Sequence, residues 1–228
     1  MGQKVSAYAL RLGLNQTWQS NYFPAKKKEQ ACWLQQDKLI RDYLFSRFPE
    51  ITQVKIERTK AELFIFVYSP NVSLITGESN DNLDQILTKI TNIVNEKKTI
   101  VKLYLNEERK IYSSAQAIAN DLARKLESRV AWQSLRQDFL RKVAAEKEVQ
   151  GIKIRIGGCL EKGGIAQRKK ISQGRMPSST LDSLIEEART EANTIYGQIG
   201  IIVQIYKGKE KKLKYVNEPS IRKQPRSI

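Results

Sequence analysis

Four cations with no acidic neighbour lie between Ala166 and Pro177, where the chain reads Ala-Gln-Arg-Lys-Lys-Ile-Ser-Gln-Gly-Arg-Met-Pro. Guanidinium and ammonium groups at this density neutralise polyanions, and the phosphates of a nucleic acid are the usual target. Burying these charges unpaired would be too costly, so the segment is predicted to be a surface finger carried by a folded sheet. The four are Arg168, Lys169, Lys170 and Arg175. A solvated hairpin that binds nothing is the alternative, and this segment alone does not decide between them.

The elements around this finger are predicted to be strands and helices of one α+β unit. Ile152, Ile154 and Ile156 alternate with Lys153 and Arg155, which is typical of a half-buried strand, and Gly200–Tyr206 reads as a closing strand. Three helices are predicted, the first two long. Their apolar positions are Ala115 to Val130, Trp132 to Val143, and Leu181, Leu184, Ile185, Ala188 and Ala192.

A second α+β unit precedes it. An amphipathic helix is predicted over Gln30–Phe48 and ends before Pro49, and it is followed by two strands, a punctuated loop, a helix and a strand. Four segments are predicted: an N-terminal arm over 1–25, units over 26–108 and 109–207, and a basic tail over 208–228. The arm has no sustained period but carries the aromatic anchors Trp18, Tyr22 and Phe23.

Composition favours a nucleic-acid partner. The chain has 228 residues, 40% of them hydrophobic, with a formal net charge of +16 and a sequence pI of about 9.8. Such an excess is typical of nucleic-acid binders and, less often, of peripheral membrane proteins. No apolar run approaches the roughly 20 residues of a membrane span, so no membrane partner is predicted. The N-terminal sequence shows no leader pattern, so we expect the protein to be synthesised in the compartment where it works.

Catalysis and metal binding are not predicted. The chain has no histidine, which removes the common zinc sets and Ser-His-Asp triads, and Cys32 and Cys159 are predicted to be reduced structural thiols. A metal-dependent nuclease would need convergent carboxylates. The adjacent pairs Glu107-Glu108 and Glu186-Glu187 diverge along the chain, so we predict no enzyme, cofactor or small-molecule substrate.

The loop before the second helix has the position of the RNA-gripping turn of a prokaryotic-type KH domain. In that domain a Gly-x-x-Gly turn holds single-stranded RNA. Here the four residues are Gly77, Glu78, Ser79 and Asn80. Asn tolerates the left-handed conformation, but Glu78 repels phosphate. The fold is predicted to be kept, and RNA binding by this loop to be weak.

An ordered set of motifs resembles the family of small-subunit ribosomal protein number three. The chain opens Met1-Gly2-Gln3-Lys4-Val5 and continues with Leu10-Arg11-Leu12-Gly13. Further matches occur in the family's order along almost the whole chain. They are Gly151-Ile152-Lys153, Ile165-Ala166, Gly174-Arg175-Met176-Pro177, Thr180-Leu181 and Thr194-Ile195-Tyr196-Gly197.

The resemblance implies a fold and a place. The fold is α+β, with an N-terminal type II KH domain and a C-terminal α+β domain that has a mixed sheet and two long helices. The place is the head of the small ribosomal subunit, beside the channel through which mRNA enters, among neighbouring ribosomal proteins. A free-standing KH-type RNA-binding regulator is the alternative.

Site residues follow from the resemblance and the charge pattern together. In the family the basic finger packs against ribosomal RNA, although only Arg175 matches a family residue directly. Bacterial relatives also carry a basic cluster near the mRNA channel, which here reads Trp132, Gln133, Ser134, Gln137 and Asp138; Arg129 and Arg136 are the nearest cations left. The expected rRNA-binding residues are Lys4, Arg11, Lys153, Arg155, Arg168, Lys169, Lys170 and Arg175.

Two segments resemble plastid members of the family. The loop Leu74-Ile75-Thr76-Gly77 is one residue longer than the bacterial form, and residues 34–42 follow the plastid pattern. A chloroplast ribosome is therefore favoured over a mitochondrial or bacterial one.

Overall fold

The structure is a computed structural model that describes residues 5–24, 26–77, 81–94, 99–108, 110–160 and 165–209. It confirms the α+β class, with two four-stranded sheets that each carry helices on one face. Within the described ranges no helix is long and apolar enough to cross a membrane. Cys32 and Cys159 are free thiols, but Cys32 is exposed and so does not serve as a packed structural residue.

The N-terminal unit is built around a mixed sheet in the strand order β1-β2-β3-β4. β2 and β3 form an antiparallel hairpin, and two helices then cross over to β4, which lies parallel to β3. This matches the predicted order of helix, two strands, loop, helix and strand, except that the short helix α2 lies inside the predicted loop. The elements are β1 (Ser20–Asn21), α1 (Lys27–Arg47), β2 (Gln53–Arg58), β3 (Glu62–Ser69), α2 (Val72–Thr76), α3 (Asp81–Val94) and β4 (Ile100–Glu107).

Alternation along the strands divides this sheet into a core face and an open face. Leu63, Ile65 and Val67 of β3 are buried against the helices, while Phe64 and Phe66 between them are partly exposed on the other side. Helix α1 ends because Pro49 disfavours the helical conformation at Phe48.

The C-terminal unit packs two helices on one face of a second sheet, in the order β6-β5-β8-β7. All three strand pairs are antiparallel, so the expected mixed sheet is wrong. The two predicted long helices are confirmed and cover a separate apolar core. The elements are α4 (Ala115–Glu127), α5 (Trp132–Ala144), β5 (Gly151–Gly158), β6 (Gln167–Gly174), β7 (Ser183–Thr194) and β8 (Gly197–Lys209).

The helix predicted over 181–192 is also wrong, because this segment is strand β7. Its apolar residues come from both faces of the sheet: Ala188 and Ala192 belong to the core under the helices, whereas Ile185 belongs to a small cluster on the opposite face. Steps of three and four residues therefore imitate a helical period. A hairpin with β8 supplies the hydrogen bonds and prevails over local helix propensity.

Candidate nucleic-acid interface

The basic finger is an edge strand, β6, rather than a loop. It pairs with β5 so that Arg155 lies opposite Lys170 and Gly157 opposite Arg168. Since directly opposite residues point to the same side of a sheet, these three cations share one face with Lys153. That face is turned away from α4 and α5, because the core residues Ile154 and Ile156 occupy the intervening positions.

A depression of about 820 Å³ lies on this open face. Its floor has no side chains where Gly157 pairs with Gly200, and Ile202 adds an apolar surface beside Arg155. Glycine inside a strand is typical of a place where another molecule approaches the backbone closely. Its charged lining consists of Arg155, Arg168, Lys169, Lys170 and Arg189, with Glu191 as an acidic member.

Arg189 and Glu187 form an ion pair on β7 at the rim. The Arg189 Nε and Nη2 atoms donate to Glu187 Oε1 at 3.0 and 2.8 Å, and the Glu187 side chain is only 3% exposed. Burial alone would raise the pKa of Glu187, but hydrogen bonds from Gln204, from the Ala7 backbone and from Arg189 outweigh it, so the pKa is lowered. The carboxylate is thus held ionised while Arg189, 62% exposed, faces solvent.

A tight turn fixes Arg175 at the opposite end of β6 from Arg168. Gly174 has a φ of 73°, and its neighbour passes so close to β5 that a β-carbon at Gly151 would lie 1.9 Å from the Arg175 carbonyl oxygen. Only glycine fits at position 151, because any side chain would collide with backbone. Arg175 is exposed and lies about 23 Å along the strand from Arg168, at about 3.3 Å per residue.

The N-terminal arm covers the other half of the open face. Ala7 packs with Ile185 and Tyr206, and Gln16 donates to the Ile185 carbonyl oxygen at 2.8 Å. Further along the arm, β1 pairs in parallel with β2 at the edge of the first sheet. Arg41 Nη2 of α1 donates a hydrogen bond to the Ser20 hydroxyl oxygen at 2.6 Å. The arm thereby contacts both units, and of the C-terminal sheet's open face it leaves the Arg155 half uncovered by any other described residue.

Arg11 does not bind RNA from a free arm, so that expectation is wrong. Its side chain is 0% exposed. Nε donates to Ser183 O at 2.7 Å, Nη1 to Ala7 O at 2.9 Å, and Nη2 to Thr180 O at 2.9 Å. Burial lowers its pKa, but guanidinium stays charged, and its rigid fork of donors suits a set of converging carbonyls.

The remaining predicted residues are not gathered in one place. Lys169 lies on the helix side of β6, in register with Ile156, whereas Arg168 and Lys170 lie on the open side. Arg129 and Arg136 are both exposed, one between the two long helices and one on α5. Arg129 belongs to the same end of the unit as the depression, since the Asn193 N–H at the end of β7 donates to Glu127 of α4 at 3.0 Å.

The KH turn and the chain start are only partly described. Gly77 has a φ of 73°, as a turn glycine should. Glu78, Ser79 and Asn80 lie outside the described residues, as does Lys4.

The two acidic pairs do not converge. Glu186 accepts from Ala115 and Lys207 on the helix side of β7, while Glu187 is engaged on the open side. Glu108 accepts from Thr52, at the end of β4.

Sequence reasoning missed the glycine floor and Arg189. Arg189 fell inside the wrongly predicted helix, and the floor needs the pairing of Gly157 with Gly200, which are 43 positions apart in the chain. The sequence of β8 did carry a signal for the glycine floor. The core residues Ile201, Val203 and Ile205 alternate with Gly200 and Ile202, which places Gly200 on the open face.

A basic, glycine-floored depression on an open sheet, beside a unit with KH-like order, defines a nucleic-acid-binding protein of two α+β units. The family model for the C-terminal domain of ribosomal protein S3 matches residues 122–205. The chain is 34% identical over 210 residues to small ribosomal subunit protein uS3 of Spiroplasma citri, covering 91% of this chain and 82% of that one. It is 33% identical to uS3 of Campylobacter fetus, covering 91% and 88%, and 31% identical to that of Mycoplasma capricolum, covering 100% and 97%. The chain belongs to the family of small ribosomal subunit protein uS3.

Proposed function

We propose that this protein is a structural constituent of the small ribosomal subunit and binds its rRNA through the open face of the C-terminal sheet. The observation that carries the proposal is the convergence of Arg155, Arg168 and Lys170 around a floor made of Gly157 and Gly200. The floor admits a sugar–phosphate backbone, and the surrounding cations neutralise it. Lys153 and Arg175 extend the contact along β5 and past the end of β6.

We further propose that the protein sits in the head of the subunit, beside the channel through which mRNA enters. Arg129 and Arg136 are the residues proposed to face mRNA, and their exposure and the family motifs support this role. A plastid ribosome is the proposed location. Its support is the sequence of residues 34–42 and of the Leu74–Gly77 loop, although the three relatives named above are bacterial.

The proposed domain boundaries are an arm over 1–25, a KH domain over 26–108, a C-terminal domain over 109–207 and a basic tail over 208–228. Two separate apolar cores support the division. One lies between α1, α3 and the first sheet, the other between α4, α5 and the second.

The salt dependence of RNA binding tests the electrostatic part of this proposal. The full chain is titrated with small-subunit rRNA of the source organism, with filter binding at several salt concentrations. If five or six cations meet phosphates, the logarithm of the affinity should fall against the logarithm of salt with a slope of about −4. A slope near zero would refute phosphate neutralisation as the source of affinity.

Adjacent lysines on opposite faces of β6 give a matched pair of variants. Lys170→Glu removes an open-face cation and should reduce the salt slope by about 1 and lower incorporation into small subunits. Lys169→Glu makes the same change of charge one residue away, on the helix side, and should have the smaller effect. Equal losses in both variants would show that the net charge of the strand matters and its open face does not.

A further inference from the structure

Among the described residues, three of the four sheet edges are covered or charged, and the fourth has no strand beyond it. In the first sheet the two-residue arm strand β1 pairs with Ile56 and Glu57 of β2, and in the second sheet β6 carries cations and β7 carries charges of both signs. The remaining edge is β4, with the sequence Ile-Val-Lys-Leu-Tyr-Leu-Asn-Glu. It has a single charge before its last residue and no proline, so it lacks the usual features that prevent a strand from joining an edge.

The backbone groups of β4 that point outward can be assigned from its pairing. The Ile100 N–H donates to Ala61 O at 2.9 Å, on the side of β3. Because backbone groups alternate between the two sides of a strand, those of Lys102 and Tyr104 also face β3. Those of Val101, Leu103 and Leu105 therefore face outward, where no other strand of the described chain pairs with them.

The apolar side chains of β4 are less completely covered than those of its neighbour. On the core side the β3 residues are at most 1% exposed, whereas the β4 residues are only partly buried. An additional strand outside β4 would complete their burial. The residues compared are Leu63, Ile65 and Val67 on β3, and Val101, Leu103 and Leu105 on β4.

On the open face, β3 and β4 form an aromatic ridge. The Tyr104 ring stacks on Phe66 with 5.1 Å between centroids and an interplanar angle of 15°, and it lies 6.4 Å from Phe64 at 26°. The Lys102 Nζ atom lies 5.3 Å from the Phe64 centroid. The ring faces are thus engaged with one another and with a lysine. A nucleobase, which needs a free ring face, would have to displace one of them.

The charge around this ridge also disfavours RNA. Lys55 and Lys102 share the face with Glu57 and Glu62, so it is balanced in a chain whose net charge is +16. Such a surface attracts no phosphate backbone. An aromatic centre with a rim of both charge signs is typical of protein–protein interfaces.

We propose that the outer edge of β4 and the ridge of Phe64, Phe66 and Tyr104 bind an extended segment of another small-subunit protein. The segment adds a strand to the sheet through the outward groups of Val101, Leu103 and Leu105, and its alternate apolar side chains cover the ridge. The inference rests on the proposed function, since the ribosome supplies the partner.

Photocrosslinking from position 104 tests the kind of partner. The full tagged chain is expressed in cells of the source organism with p-benzoylphenylalanine in place of Tyr104, and purified small subunits are irradiated. The expected product is a nuclease-resistant crosslink that peptide sequencing assigns to a different small-subunit protein. A crosslink to RNA, a crosslink to a second copy of this chain, or none in subunits that contain the chain would overturn the proposal.

Placing p-benzoylphenylalanine at Lys170 distinguishes a failure of the docking proposal from a failure of the proposed rRNA site. A nuclease-sensitive crosslink there supports the proposed rRNA contact whatever position 104 gives. A protein crosslink at Tyr104 together with no RNA crosslink at Lys170 would leave the docking surface standing and refute the rRNA site. A chain that never enters small subunits would overturn both.

Strand addition itself is tested at Leu103. Leu103→Pro removes an outward N–H and little side-chain volume, while Leu103→Ala removes more of the side chain and keeps the N–H. Crosslinking from position 104 should be roughly two- to tenfold lower in the proline variant than in the alanine variant, as expected for one backbone hydrogen bond.

Hydrogen exchange of the unsubstituted chain gives a measurement that needs no variant. The Leu103 and Leu105 amides should exchange quickly in the free protein and at least tenfold more slowly in the subunit. Equal crosslinking by the two variants, or unchanged exchange, would overturn pairing at this edge.

Discussion

Replacing Arg11 by lysine distinguishes a buried anchor from a phosphate contact. Lysine keeps the positive charge, so a residue that merely faces RNA phosphate should tolerate the change. It lacks the planar fork that reaches carbonyls of Ala7, Thr180 and Ser183 at once. We therefore expect Arg11→Lys to loosen the arm.

The size of the effect follows from the acceptors that lose their donor. The bonds to Ala7 O and Ser183 O are buried, and that to Thr180 O is only partly buried, where water can take over. A buried acceptor left unpaired costs about 1–3 kcal/mol, and the ammonium can satisfy one of the two. With the other Arg11 bonds weakened, we expect arm docking to lose about 3 kcal/mol, close to a hundredfold in the opening equilibrium.

Amide hydrogen exchange of residues 5–21 measures this directly. In the Arg11→Lys variant, exchange in the arm should speed up about a hundredfold, while the cores of both units stay protected. The matched control is Arg168→Lys, an exposed site where the same substitution should leave arm exchange unchanged and rRNA affinity close to that of the unsubstituted chain. Normal arm protection in Arg11→Lys would refute the assignment of Arg11 as an anchor.

Three further predictions concern the arm, the depression and the turn. Because the pKa of Glu187 lies below its ordinary value of 4.5, its stabilisation of the docked Ala7 amide is present above pH 4.5 and lost as pH falls through the lowered pKa. After correction for the intrinsic pH dependence of amide exchange, protection of the arm amides should therefore fall in acid for the unsubstituted chain but not for Glu187→Gln. Identical protection profiles would contradict this. Gly200→Leu fills the floor, where a β-carbon at position 200 would have no atom closer than 3.9 Å, so calorimetry should show an unchanged melting temperature. Filter binding should show roughly tenfold weaker rRNA binding, equivalent to the loss of about one phosphate contact. Unaltered binding would show that the floor is not part of the site. Gly151→Ala places a methyl group against the Arg175 carbonyl and should destabilise the C-terminal unit by about 1–3 kcal/mol in urea unfolding, whereas unchanged stability would contradict the close approach.

The sequence predicted the order of the strands and of the two longer helices of the N-terminal unit, but not the short helix α2. There the strand period and the helix period are each kept by residues that face a single core, as with Leu63, Ile65 and Val67. In the C-terminal unit the arm covers part of the second face, so Ile185 is buried opposite Ala188. The strand period was therefore lost, and the segment was predicted to be a helix. The mixed sheet that the resemblance implied is also wrong, since a strand at that place makes a hairpin rather than a crossover.

The site was predicted in its charge but not in its geometry. A row of cations between apolar strands indicated a surface that binds polyanions, and Arg168 and Lys170 do lie on an open face. That Lys169 points the other way depends on register, and the burial of Arg11 depends on carbonyls some 170 positions later in the chain. Single-sequence patterns carry no information about such distant pairings.

The arm contact has a consequence for the order of folding during synthesis. Arg11 leaves the ribosome long before its acceptor Ser183, which lies 172 positions later in the chain. The N-terminal unit can fold when its own strands have emerged, but the arm must wait until β7 and β8 are complete. Arm docking is therefore a late step, and an arm that has not docked marks a chain whose C-terminal sheet is unfinished.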